Sequence, residues 1–321
     1  MQNQMFYHIR PNKTIDRLLF VDLLTNISTI INLVNHVYIG FGSFEFDDFK
    51  LLHNKLGMRN LISLEKDKNI FKRQKFNLPF NCIQTINESS TIFIDEILDN
   101  SEPFIFWLDY NNPADLYNHL TDYGNLIRKS KVNDIIRITL NSNVSSLLNY
   151  DRKISEEENY KNRIFKLKEK CGDLFPESLK PIYFNDESYP TILLQILKYT
   201  AYKYIPNMMD IVPLSTNVYA DGQQMLTFTC IIIKRNDQNM VQSISDKLDN
   251  NYSFSWDTVI KISLPVLTMM ERFSLNKELP NQNAEKIILQ NYGYFFDNDR
   301  NLIQNYVRYY KHYPNFRHVN F

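Results

Sequence analysis

The chain alternates short apolar runs with segments of helical periodicity, and this alternation limits its fold more than any other feature. Helical spacing of apolar residues occurs at 14–33, 47–56, 66–76 and 114–128. The apolar runs that predict strands lie at 37–41, 60–64, 82–86, 104–108 and 134–140. They are apolar throughout, as parallel strands covered on both faces are. We therefore expect an α/β fold with a Rossmann-like, doubly wound, mostly parallel sheet.

The segments 212–219 and 224–234 predict that this sheet ends in an antiparallel hairpin. They are joined by Ala220-Asp221-Gly222, and Asp-Gly is a strong hairpin signal. Further helical segments surround the sheet as additions. The predicted organisation is a helical lead-in at 1–36, a Rossmann-like domain at 37–235 with a helical insertion at about 150–205, and a C-terminal helical extension at 236–321 packed on the same domain.

Composition excludes several classes of protein. The chain has 321 residues, 44% of them hydrophobic, and its net charge is zero, so we expect no general electrostatic field that gathers nucleic acid. The three cysteines lie far apart without CxxC spacing, and the six histidines show no HxxxH pattern. We predict no disulfide framework and no metal site. Without an apolar leader or a long apolar run, the sequence predicts a cytoplasmic protein with no membrane segment.

Gly40 and Gly42 end the first predicted strand, in a chain that has only seven glycines. Glycine has no Cβ, so a ligand can approach its backbone closely. Glu65 follows the second strand, 25 residues after Gly40, where an acidic side chain accepts hydrogen bonds from ribose hydroxyls. Ser89 follows the third strand and is predicted to lie near an adenine. These four residues are the predicted cofactor-binding residues.

The residues after the glycine turn favour S-adenosylmethionine over a dinucleotide. The dinucleotide motif requires a third glycine, but that position is Glu45, and Asp47 and Asp48 follow it. Three carboxylates would repel a pyrophosphate and would tolerate a cationic sulfonium. The two aspartates also suit a helix N-terminus, which needs no ligand.

Asp109 and Tyr110 close the fourth strand and are the predicted catalytic residues. An acidic and an aromatic side chain at this position can orient a methyl acceptor for in-line transfer, which depends on approach geometry. The alternative is a strand end that leads into a turn and a proline in the first helical turn.

Five stretches of the sequence resemble a bacterial O-methyltransferase family with the class I S-adenosylmethionine-dependent fold. They are HIRPNKTIDRLLFVDLL, YIGFGSFEFDDFKLLH, LISLEKDKNIFKRQKFNLPFNCI, FWLDYNNP and YADGQQMLTF. The resemblance implies a seven-stranded sheet whose final pair is antiparallel, a ribose-binding role for Glu65 and a fourth-strand acidic position at Asp109. Of the family's acidic-x-Gly-x-Gly-x-Gly motif, Gly40 and Gly42 are kept, whereas Tyr38 and Phe44 replace the acid and the third glycine.

We therefore expect an S-adenosylmethionine-dependent methyltransferase whose acceptor the sequence does not identify. The alternative is a catalytically degenerate Rossmann-like protein that serves as a binding component of a multi-component bacterial system. In that case a nucleic acid or protein partner would bind the basic, phenylalanine-containing segment 66–76 and the aromatic-basic C-terminal segment. A basic helix is more often a solvated face, so a nucleic acid is not the favoured partner. A nicotinamide-dependent enzyme is a third, weaker interpretation.

Overall fold

The computed structural model describes residues 10–99, 101–179, 183–249 and 251–314. The predicted lead-in and extension therefore each include terminal residues that lie outside the described ones. The strands are β1 (Val37–Gly40), β2 (Leu61–Leu64), β3 (Ile83–Ile86), β4 (Phe104–Asp109), β5 (Ile135–Asn141), β6 (Met209–Asp221), β7 (Gln223–Lys234) and β8 (Ile260–Ile262). The helices are α1 (Pro11–Ile27), α2 (Asp47–Leu56), α3 (Lys68–Phe76), α4 (Ser90–Ile92), α5 (Leu116–Lys129), α6 (Glu156–Cys171), α7 (Tyr189–Tyr204), α8 (Gln238–Ser245), α9 (Met269–Asn276), α10 (Ala284–Tyr292) and α11 (Arg300–Tyr309).

The described residues divide into two compact units. The larger unit comprises Val21–Val218 and Gln223–Ile260, and the smaller one comprises residues 10–20, Tyr219–Gly222 and 261–314. The smaller unit has its own apolar cluster, which includes Leu275, Ile288 and Ile303. The domain boundaries expected from the sequence stay a prediction.

The strands form a sheet in the order β3-β2-β1-β4-β5-β7-β6-β8. β1 pairs in parallel with β2 and β4, and β2–β3 and β4–β5 are parallel too. β7 runs antiparallel to β5, with Ile136 opposite Cys230, and Gly222 follows β6 with a left-handed φ of 104°. The predicted α/β class and the mostly parallel Rossmann-like sheet are confirmed, and β6 and β7 form the predicted hairpin. The sheet of the described residues has eight strands where the family resemblance implies seven, because β8 lies beside β6 at the edge past the hairpin.

The central strands of the sheet are buried on both faces, although β5 carries Arg137 and Thr139 on one of them. Every residue of β5 is buried, and β4 is buried up to Leu108. The helices α5 and α7 contribute buried apolar side chains to the same core, among them Leu120, Ile127 and Leu193. Of the helices that the structure describes, none combines the length and apolar character needed to cross a membrane.

Helix α1 begins and ends earlier than the predicted span of 14–33. Its first turn starts at Pro11 because Asp221, at the end of β6, accepts hydrogen bonds from the backbone amides of Asn12 (3.3 Å) and Lys13 (2.8 Å). The helix stops after Ile27, where the Ser28 and Thr29 hydroxyls donate to backbone carbonyls three residues earlier. Such local hydrogen bonds compete with helical ones, and the apolar pattern does not reveal them.

The Asp221 carboxylate is therefore expected to stabilise the N-terminus of α1. Substituting Asp221→Ala leaves the two amides unpaired and should lower the free energy of unfolding by about 1–2 kcal/mol, as loss of a helix cap does. Urea unfolding followed by circular dichroism measures this change. Asp221→Asn keeps one acceptor oxygen and should lose less, and equal stability of Asp221→Ala and the wild type would contradict the assignment.

Candidate functional site

A cavity of about 350 Å³ lies beyond the carboxyl ends of the parallel strands. This is where ligands bind in open α/β sheets, and the volume falls within the range of small-molecule sites. Its walls come from the loops that follow β1 to β4 and from the start of α5. The lining residues used below are Phe41, Glu65, Lys66, Glu88, Ser89, Ser90, Asp109, Tyr110, Asp115, His119 and Asp122.

The cavity gathers four of the six residues predicted for the site. Glu65, Ser89, Asp109 and Tyr110 all line it: Glu65 follows β2, Ser89 follows β3, and Asp109 and Tyr110 lie at the end of β4. Gly40 and Gly42 are not among the lining residues, although Phe41 between them is. The Ser89 hydroxyl accepts a hydrogen bond from the Ile92 amide (3.2 Å) and so caps α4. The cofactor-binding and catalytic roles predicted for these residues stay predictions.

The two glycines of the turn make room for side chains of the protein itself. A Cβ on Gly40 would lie 2.8 Å from the Tyr38 hydroxyl oxygen, and one on Gly42 would lie 2.6 Å from Ser63 Oγ. The buried Tyr38 hydroxyl donates a hydrogen bond to Asp48 on α2, and the Gly42 amide donates to Ser63 Oγ (3.1 Å). Neither glycine has a left-handed φ. Internal packing thus accounts for both glycines without a ligand.

Gly40→Ala therefore tests whether this glycine serves packing or cofactor binding. The added methyl group overpacks a filled site, and we expect the free energy of unfolding to fall by about 1–3 kcal/mol. In a Tyr38→Phe background the closest atom, the hydroxyl oxygen, is gone, so Gly40→Ala should cost less there. Urea denaturation of the four proteins in this cycle measures the difference. Unchanged stability with lost cofactor affinity would instead indicate that Gly40 contacts the ligand.

The Glu65 carboxylate is held by the start of the next helix. Its Oε1 atom accepts a hydrogen bond from the Asp67 amide (2.8 Å), and Asp67 itself caps α3 by accepting from the amides of Asn69 and Ile70. The Asn87 side chain donates to the Glu65 carbonyl (2.6 Å) and so joins the ends of β2 and β3. Burial raises the pKa of the Glu65 carboxyl above its ordinary value, although the backbone hydrogen bonds oppose the shift. A fixed, half-buried carboxylate thus faces the cavity.

Tyr110 is anchored through its hydroxyl, which is buried. The hydroxyl donates to Asp122 Oδ2 (2.5 Å), and the Ser90 hydroxyl, 2.9 Å from it, donates to the same oxygen (2.7 Å). Burial and the neighbouring carboxylate raise the pKa of Tyr110 well above its ordinary value. The phenol therefore stays protonated at neutral pH, and its ring forms part of the cavity wall beside Phe41, at a centroid distance of 5.7 Å.

His119 is a site residue that sequence reasoning missed. Its ring stacks on Tyr110 with centroids 3.9 Å apart and an interplanar angle of 8°. The pKa of His119 is lowered to about 4, mainly by burial; the negative charge of Asp115 opposes this shift, and the positive charge of Lys66 contributes to it. The imidazole is therefore neutral at physiological pH. His119 and Asp122 are three residues apart on α5, a spacing that places both on one helix face, but nothing in the sequence says that this face meets the cavity.

Phe41, Lys66 and Glu88 were also missed, although each has a simple signal. Phe41 lies between the two glycines, Lys66 follows Glu65, and Glu88 precedes Ser89. Counting the two residues on each side of every strand end as candidate site residues would have included all three. Among the described residues, no group of three or more histidine, cysteine or acidic side chains is placed to hold a metal ion.

A doubly wound sheet with a cavity beyond the carboxyl ends of its strands is the architecture of the Rossmann-like class, in which ligands bind at this edge. The sequence model of one family, described as "Putative O-methyltransferase", matches residues 5–321. The chain belongs to this family, and the predicted family resemblance is confirmed. Among curated proteins, no sequence matches the chain.

Solved structures that resemble the chain include methyltransferases, at low identity. Trm1 from Pyrococcus horikoshii, in complex with S-adenosyl-L-methionine, is 11% identical over 74% of this chain and 58% of its own, with a TM-score of 0.46. The plantazolicin methyltransferase BpumL, in complex with SAH, is 10% identical over 68% of this chain and 84% of its own, with a TM-score of 0.40. Cofactor-bound Rv0187 from MTB is 12% identical over 67% of this chain and 79% of its own, with a TM-score of 0.37. At these values the family assignment depends on the sequence-family match alone.

Proposed function

We propose that this protein is an S-adenosylmethionine-dependent methyltransferase of the cytoplasm. The observation that carries the proposal is the Glu65 carboxylate, which faces a cavity at the carboxyl edge of the sheet. Membership of an O-methyltransferase family over residues 5–321 supports the reaction class. The acceptor of the methyl group is not identified.

The chemistry of the cavity fits the adenosine half of this cofactor. Glu65 Oε1 is fixed by the Asp67 amide (2.8 Å), and the carboxylate lines the cavity. An ionised carboxylate has about four acceptor sites on its two oxygens, so a ribose diol can donate to Glu65 while the bond from the Asp67 amide is kept. Ser89 follows β3 on the same cavity, where an adenine edge would lie. When bound, the cofactor supplies an activated methyl group on a cationic sulfur.

The remaining lining residues orient and enclose the reactants. The parallel rings of Tyr110 and His119 form a flat wall, and the hydrogen bonds from Tyr110 and Ser90 to Asp122 hold that wall in place. Asp109, at the end of β4, is the acidic side chain that would orient the methyl acceptor. We assign Tyr110 a positioning role through its ring, because its hydroxyl already donates to Asp122.

Substituting Glu65 tests the proposed function directly. Glu65→Ala removes the acceptor of two sugar hydroxyls, and we expect the affinity for S-adenosylmethionine to fall about 10- to 100-fold, as loss of hydrogen bonds to a charged group does. Isothermal titration calorimetry measures this affinity. Because the folded pKa of Glu65 is raised, affinity should also decline on acidification at a higher pH than an ordinary glutamate would give.

A charge-matched control separates this effect from general electrostatics. Glu158 is exposed on α6 and does not line the cavity, so Glu158→Gln should bind S-adenosylmethionine as the wild type does. Absence of binding by the wild-type protein, or equal binding by Glu65→Ala, would refute the proposed function.

Helix α3 favours a second candidate function, a binding component for nucleic acid. The basic side chains of α3 are exposed, and its last residue, Phe76, is 90% exposed. The glycine turn, in contrast, is filled by the protein's own side chains. This function predicts binding of a single-stranded RNA oligonucleotide whose affinity falls steeply with salt.

Charge reversal on α3 tests that candidate. Lys68→Glu with Lys72→Glu should reduce RNA binding in fluorescence anisotropy, because two phosphate contacts are replaced by repulsion. The control is Lys234→Glu with Lys247→Glu, which makes the same charge change at exposed positions outside α3. Equal loss in both double variants, or no salt dependence in the wild type, would exclude specific binding through α3.

A further inference from the structure

The cavity wall carries a large excess of negative charge. Five carboxylates line it, those of Glu65, Glu88, Asp109, Asp115 and Asp122, against one ammonium group, that of Lys66. Within the part of the chain that the structure describes, Glu65, Glu88, Asp115 and Asp122 form no ion pair, and neither does Lys66. This excess is unlike the protein as a whole, whose net charge is zero.

The neutral groups of the wall do not cancel the charges of Glu65, Glu88, Asp115 and Asp122. The hydrogen bonds that Tyr110 and Ser90 donate to Asp122 stabilise its carboxylate without cancelling its charge, and Asp115 accepts a hydrogen bond from the neutral Asn112 amide (2.7 Å). Burial keeps His119 neutral, with a pKa of about 4. A cleft lined by one sign of charge concentrates its field inside, so a positive ligand is favoured there.

We infer that this cavity selects its cofactor by charge and binds S-adenosylmethionine more tightly than S-adenosylhomocysteine. The inference depends on the proposed function. The two molecules differ by the transferred methyl group and by the positive charge of the sulfonium, which is absent from the thioether product. The adenosine and amino-acid parts that the two molecules share make the same contacts. The carboxylates therefore change the ratio of the two affinities only through the positive charge of the sulfonium. Loss of the charge on methyl transfer then weakens binding and promotes release of the product.

The size of the effect follows from Coulomb's law. A carboxylate about 10 Å from a positive charge favours it about 2- to 15-fold, for an effective dielectric constant between that of water and that of a protein surface. Several carboxylates of the wall attract the sulfonium together, and the positive charge of Lys66 reduces this attraction. We therefore expect S-adenosylmethionine to bind at least about tenfold more tightly than S-adenosylhomocysteine at low ionic strength, with a smaller ratio in high salt, where exposed charges are screened.

Calorimetry on the full-length protein with three ligands tests the inference. The ligands are S-adenosylmethionine, S-adenosylhomocysteine and sinefungin, an analogue that carries an ammonium group in place of the sulfonium. Both cations should bind more tightly than the neutral thioether. Equal affinities, or tighter binding of S-adenosylhomocysteine, would overturn charge selection while leaving the proposed function in place. Failure of all three ligands to bind would refute the proposed function, and this inference with it.

Neutral isosteres identify the carboxylates that are responsible. Glu88→Gln and Asp115→Asn should each lower the ratio of the two affinities about two- to fivefold, by weakening the cation, with little change for S-adenosylhomocysteine. Glu158→Gln, on the exposed face of α6, is the matched control and should keep the wild-type ratio. An unchanged ratio in both cavity variants, with folding verified by circular dichroism, would overturn the assignment even if the wild type prefers the cation.

Discussion

The reversal of strand order between β1 and β4 is the constraint on which the rest of the site depends. From β1 the chain builds outward through β2 and β3, then returns to place β4 on the other side of β1. The loops that follow β1 and β4 consequently leave the sheet in opposite directions, and a crevice opens between them. Phe41, Glu65, Ser89 and Asp109 meet there because all four strands are parallel and end at the same edge.

Several side chains of this crevice are held in place by hydrogen bonds within the protein. Glu65 is fixed by the amide that begins α3, and Tyr110 is fixed by Asp122 and Ser90. A site arranged before the ligand arrives loses little conformational freedom on binding. The same arrangement decides protonation: the Tyr110 phenol is kept neutral by burial beside a carboxylate, and His119 is kept neutral by burial. The charged groups left in the cavity are therefore almost all negative.

The sequence predicts the strands and the acidic residues of this site well because both depend on local pattern. Apolar runs mark the strands, and Glu65 and Asp109 lie at or just after strand ends. Features that depend on distant contacts were not predictable in this way. The start of α1 is determined by Asp221, 208 residues away from Lys13, and the direction in which His119 faces depends on how α5 packs against the sheet. The space around Gly40 and Gly42 is occupied by Tyr38 and Ser63, which no spacing rule anticipates.

The filled glycine turn bears on which cofactor the fold can hold. A dinucleotide requires a glycine turn that brings backbone amides against a pyrophosphate, but here the Gly42 amide already donates to Ser63 and the carboxylates of Glu45, Asp47 and Asp48 follow. An anionic bridge would meet repulsion and find that donor engaged. In the proposed function a cation carried on an adenosine needs no such turn, because its ribose would be bound at Glu65 and its charge would face the carboxylates of the wall. Tyr38 stands where the methyltransferase motif has its acid, and its hydroxyl donates to the Asp48 carboxylate; the turn therefore keeps a carboxylate close by, while its Gly42 amide is engaged within the protein.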